Sequence, residues 1–173
     1  MRRSIPLLSL LLAGCPGLGQ VAFDVDSPGQ STVRGSPAGG LLPTFPGFPA
    51  FGGMTFSQNQ SFANNNTNKD HVSSCRVSKL TLKIVTPTTQ ALSFIQKIEF
   101  FIEAPNQQKI RIAEALTIPS GVESIDLTID DQELAPYAKA DSFSITTTGT
   151  ASVPPQDTTI EADLTLHIVA NVL

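Results

Sequence analysis

One stretch of this chain limits its folding choices more than any other. Ile160, Ala162, Leu164, Leu166, Ile168, Ala170 and Val172 keep a single phase through thirteen residues, with Glu161, Asp163, Thr165 and His167 between them. Side chains alternate between faces along a strand, so strict period two marks a strand with one face in a core. A helix would scatter the same residues around its axis. His167 lies out of phase with the apolar set and is expected on the solvent side.

The same period recurs upstream. Leu80, Leu82 and Ile84 alternate with Thr81, Lys83 and Val85, and Phe94, Ile98, Phe100 and Ile102 share a phase against Lys97, Glu99 and Glu103. Ile110 and Ile112, then Ile125, Leu127 and Ile129, then Phe143 and Ile145 continue it. Thr86-Pro87, Ala104-Pro105-Asn106, Pro119-Ser120-Gly121 and Val153-Pro154-Pro155 separate the runs as turns. No segment sustains a 3.6-residue period; Asp131–Tyr137 reads as one helical turn capped by Asp130 or Asp131. The pattern predicts an all-β fold, an antiparallel β-sandwich of about seven or eight strands. A closed β-barrel is the alternative, which alternation alone does not separate from a sandwich.

Residues 15–53 are richer in Pro and Gly. Val21–Val25 and Ser31–Val33 are candidate short strands on either side of a Ser27-Pro28-Gly29 turn. Residues 35–53 interleave breakers with Leu41, Leu42, Phe45, Phe48 and Phe51. A flexible linker would be polar, so this segment is expected to lie over the domain and insert its rings. The competing reading makes Phe45, Phe48 and Phe51 an exposed interaction surface. Residues 57–70 are Asn-rich and read as a solvated loop; Asn65-Asn66-Thr67 matches a glycosylation sequon, and the solvated-loop reading is preferred. The sandwich domain is placed at 54–173.

Residues 1–15 have a different character. Arg2 and Arg3 precede an apolar run from Ile5 to Leu12, and Leu12-Ala13-Gly14-Cys15 follows. This resembles the signal peptide and lipobox of a bacterial lipoprotein, a pattern of L-[AS]-[GA]-C; the resemblance covers these residues only. It implies removal of residues 1–14, a diacylglycerol on the Cys15 sulfur, added palmitate, and attachment to a membrane of the cell envelope. Two or more acyl chains hold a protein stably. Pro16 stands where some relatives carry the Asp of inner-membrane retention, which points to the outer membrane. The apolar run is far shorter than the ~20 residues of a spanning helix. An ordinary signal peptide cut after Gly19 is the competing reading.

Processing would remove Arg2 and Arg3 and move the formal charge from −4 to −6. An acidic domain with scattered Lys and Arg is not a nucleic-acid binder. There is no Trp and only Tyr137 as tyrosine, which disfavours a stacking platform for sugars. Cys75 opens an apolar strand and is expected to be buried; His71, four residues away, is a weak partner for a reactive thiol. Asp126, Asp130, Asp131 and Glu133 are the best metal candidates, but their spacing fits no EF-hand loop, and Asp24 and Asp26 rank lower. No metal or cofactor is assigned. With two histidines and no nucleophile motif, enzyme activity is not expected. The functional expectation is a lipid-anchored, non-enzymatic structural or protein-interaction module with an unknown protein partner. The alternative is an envelope protein that binds a small apolar or glycan ligand.

Overall fold

The computed structural model describes residues 19–173. Eight strands form two four-stranded antiparallel sheets. The first contains β1 (Gln20–Val33), β2 (Val72–Thr86), β5 (Ser124–Asp126) and β8 (Thr158–Asn171), in the order β1-β8-β2-β5. The second contains β3 (Ile95–Glu103), β4 (Ile110–Ala115), β6 (Thr128–Ile129) and β7 (Ser144–Ala151), in the order β6-β4-β3-β7. The architecture is therefore a β-sandwich and not a closed barrel.

β8 is the axis of the first sheet. It pairs with β1 through fourteen consecutive residues without a shift and with β2 on its other side. Ile160, Ala162, Leu164, Leu166, Ile168 and Ala170 all face the core and are buried. A one-residue slip would turn that whole row to water, so the apolar phase fixes the register. The opposite face of β8 is charged and matched. Lys83 on β2 reaches Glu161 at 2.6 Å and Asp163 at 2.7 Å. Asp163 and Glu161 raise the Lys83 pKa, and the Lys83 and Gln30 side chains lower that of Glu161. Leu80, Leu82, Ile98, Phe100, Ile102 and Ile112 fill the space between the sheets and are fully or almost fully buried.

The structure replaces two short N-terminal strands by one. β1 runs straight through Ser27-Pro28-Gly29, and residues 20–33 belong to the sandwich that the sequence placed at 54–173. The reason lies in which way Pro28 faces. Val172 N–H donates to the Gly19 carbonyl at 2.7 Å, so Gly19 and Val172 are a bonded pair. Bonded and non-bonded pairs alternate along an antiparallel ladder. The register is unbroken, so odd-numbered β1 residues bond to β8 and even-numbered ones turn their N–H and C=O away. Pro28 is even. Its missing N–H faces the free edge, where a strand tolerates proline.

The predicted helical turn is α2 (Ala135–Ala138), and it buries Leu134 and Tyr137. Neither Asp130 nor Asp131 caps it. The Glu133 carboxylate accepts from Ala135 N–H at 2.9 Å. The Asn-rich stretch is also more than a solvated loop. It contains α1 (Gln60–Asn64), whose Phe62 is buried. Asn59 accepts from Ser61 N–H, and Asn68 accepts from Asp70 N–H to start the turn at Lys69–His71.

Candidate functional site

A sandwich has two open sides where the outer strands of its sheets face each other. On one side β5 and β6 are joined by a single residue, Leu127, so the chain itself crosses between the sheets. The other side lies between β1 and β7. There the segment 41–62 acts as a strap. Phe48 stacks on Phe100 of β3 with ring centroids 5.7 Å apart and meets Phe51 at 5.6 Å. Phe51 packs against Gly29 of β1, where a Cβ would sit only 3.0 Å from the ring. A second aromatic row runs from Phe23 on β1 through Phe62 and Phe56 to Phe143 beside β7, with centroid spacings of 5.0, 5.3 and 5.2 Å.

Phe45, Phe48 and Phe51 are all buried. As placed, the three rings are core and not an exposed interaction surface. Pro43, Pro46 and Pro49 interrupt any ladder the strap could form, so its order comes from rings inserted between the sheets. Sequence reading missed Phe56 and Phe62. The signal was present as two isolated aromatics in an otherwise polar run.

The two strand edges flanking this seam are unequal. The strap bridges β7 at both ends, Leu41 to Ser152 and Met54 to Phe143. A groove of about 510 Å3 remains between, lined by Phe48, Pro49, Gly52, Glu103 and Thr146. The free edge of β1 receives no backbone hydrogen bond from any other described segment. Its even-numbered residues, Gln20 to Thr32, are all exposed.

The ionisable candidates are dispersed. Asp126 takes the Thr81 hydroxyl at 2.5 Å and Lys79 at 3.8 Å. Asp130 takes Arg111 at 2.8 Å, and Asp131 pairs with Arg76. Glu133 accepts from Ser74 Oγ at 2.8 Å, Cys75 N–H at 2.8 Å and Ala135 N–H at 2.9 Å. Partial burial works against its charge, but those bonds and Arg76 outweigh it and hold the carboxyl below its ordinary range. Among the described residues, no three His, Cys, Asp or Glu side chains come together as a metal site.

Cys75 is buried and free. Burial first, and then the Glu133 charge, push its thiol up to about 12; an activated thiolate needs the opposite shift. His167 is exposed and its Nδ1 lies 2.7 Å from Asp24. Asp26 accepts the Thr165 hydroxyl at 2.7 Å. The sequon is closed in this conformation, because Thr67 is buried with its hydroxyl on the Asn171 carbonyl at 2.5 Å. A groove of about 510 Å3 on the outer face of the first sheet is lined by Asp26, Lys79, Thr81, Lys83, Asp163 and Thr165. Lys83 and Asp163 there are already matched to each other. Cys15, the lipidation candidate, lies outside the described residues.

No family model and no curated protein matches the chain. Among solved structures, it is similar to the BFDV capsid protein in a 60-mer crystal structure: 10% identity, 88% of this chain and 94% of that one, TM-score 0.39. A decameric form of the BFDV capsid protein gives 9% identity over 88% and 99%, also at 0.39. A likeness this distant carries no statement about function.

Proposed function

We propose that this protein is a lipid-anchored component of a bacterial cell envelope, held at the outer membrane through Cys15, with its sandwich serving as a non-enzymatic structural or protein-interaction module. The lipobox Leu12-Ala13-Gly14-Cys15 carries the reading. Two features of the domain support it. Several of its charged side chains are engaged in cross-strand pairs such as Lys83–Glu161 and Arg111–Asp130, a use of charge that suits a structural module. The space between the sheets under the strap is filled by the strap's own rings, and the groove of about 510 Å3 beside it is an open surface channel along β7, not an enclosed apolar cavity.

The test is metabolic labelling of the full chain with palmitate. Wild type is expected to incorporate label and partition into detergent, and Cys15→Ala to do neither. An unlabelled wild-type protein that begins at Gln20 would establish the ordinary signal peptide instead.

A further inference from the structure

We infer that the N-terminal half of the β1 edge, Gln20 to Asp26, is a docking site for an extended, basic segment of a partner protein, which adds a fifth strand to the first sheet. This rests on the interaction-module reading above and names the surface and the chemistry of the partner.

The geometry comes from the ladder itself. Odd-numbered β1 residues are used by β8, so Gln20, Ala22, Asp24 and Asp26 present N–H and C=O to the free edge. Among the described residues none of these groups has a hydrogen-bond partner in the chain. Four donors and four acceptors in regular spacing form a template for strand addition. Pro28 ends the run, since it has no N–H to give. β7 differs, because its edge is tied down by the strap at both ends.

The side chains identify the occupant. Asp24 and Asp26 project from the outer face two residues apart, and both are exposed. His167 and Thr165 on β8 hold them from the other side. A strand laid along the edge places its own alternate side chains directly opposite these carboxylates. Lysine or arginine at positions i and i+2 of that strand would pair with them. A second copy of β1, or any acidic segment, would set like charges against each other. The edge charges therefore discourage self-pairing while admitting a basic strand.

Site-resolved amide exchange on the full-length protein tests this, with a short peptide of alternating lysine and threonine as probe. In the free protein, the Ala22, Asp24 and Asp26 amides should exchange fast, and those of Phe23 and Val25 slowly. The peptide should slow the even-numbered set alone. The same peptide with glutamate for lysine should not, and the double variant Asp24→Asn/Asp26→Asn should weaken binding by about tenfold. Ala22→Pro should abolish binding while leaving the β8 ladder intact, as Pro28 does. A peptide methylated on its lysine amide nitrogens should also fail to bind, and this readout does not depend on any variant folding. Equal binding of the lysine and glutamate peptides, binding that survives Ala22→Pro or amide methylation, or no slowing of the even amides would overturn the proposal. Palmitate on Cys15 together with no peptide pairing removes the edge and leaves the anchor; pairing without palmitate does the reverse.

Discussion

The two open sides of the sandwich are closed by different means. Between β5 and β6 the backbone does the work: Leu127 spans the gap, its N–H donating to the Leu80 carbonyl at 2.9 Å while its side chain is buried. Asp130 N–H then donates to Ile112 O, continuing the chain along the second sheet. Between β1 and β7 the backbone makes few bonds across the gap, and inserted phenylalanines close it. A closure made by chain connectivity loses one residue's packing when mutated. A closure made by rings alone should fail as a unit.

The largest effect is therefore expected on the strap. Each Phe→Ala in a core costs about 3–5 kcal/mol, and a domain of this size has about 5–15 kcal/mol in total. Changing Phe45, Phe48 and Phe51 together to Ser should leave the domain unfolded at 25 °C, as read by near-ultraviolet circular dichroism and thermal melting. A triple variant that melts like wild type would show that the strap only rests on the sandwich, and would return the rings to the role of contact surface.

On the crossing side, Leu127→Ala should cost about 2–5 kcal/mol and preserve the cooperative transition in urea. Leu166→Ala, in the centre of β8, calibrates that loss in the same range. His167→Ala beside it should cost far less, because its exposed hydrogen bond with Asp24 contributes about 1 kcal/mol or less. Equal losses at 166 and 167 would mean that the outer face of β8 is covered as well.

These contrasts show what was legible in the sequence. β8 could be read residue by residue, because a half-buried strand writes its burial as alternation. In the sequence β1 reads as two pieces because Ser27-Pro28-Gly29 is a strong turn signal, and the side of the strand to which Pro28 turns is set only by its pairing with β8. The strap's rings were legible as insertions, but not their targets, since Gly29 and Phe100 are remote in sequence. In the sequence Glu133 reads only as one of four metal candidates. Its role in tying the α2 turn to the start of β2 depends on long-range contacts with Ser74 and Cys75 that no local spacing announces.

Glu133 is also where the crossing side can be loosened without touching the core. Its pKa is depressed in the fold, so the stabilisation is present above the unfolded carboxylate value and is lost as pH falls through the folded one. Glu133→Gln should cost about 1.5 kcal/mol at neutral pH, the low end of the range for hydrogen bonds to a charged group, because its side chain is 41% exposed and water screens the charge. The difference from wild type should shrink below pH 4 in urea titrations. A pH-independent difference would assign the loss to shape and not to charge.

Cys75 gives the smallest and most local signal, from the strand that Glu133 grips. The buried thiol holds its proton up to about pH 12, whereas an unfolded chain releases it near 8.5. Between those values the folded state binds more protons than the unfolded state, so stability falls as pH rises. Below the unfolded pKa the contribution is complete, and above the folded one the loss stops growing. At pH 9.5 the loss should be about 1.4 kcal/mol. Other groups titrate in the same range, so the measurement is the difference between wild type and Cys75→Ala in urea at pH 7.5 and pH 9.5. That difference should move against wild type by the stated amount, and a thiol reagent should label Cys75 only as fast as the chain unfolds. Rapid labelling of the folded protein, with no change in the difference, would mean that the start of β2 opens locally. The grip of Glu133 on this strand would then be weaker than its three hydrogen bonds imply.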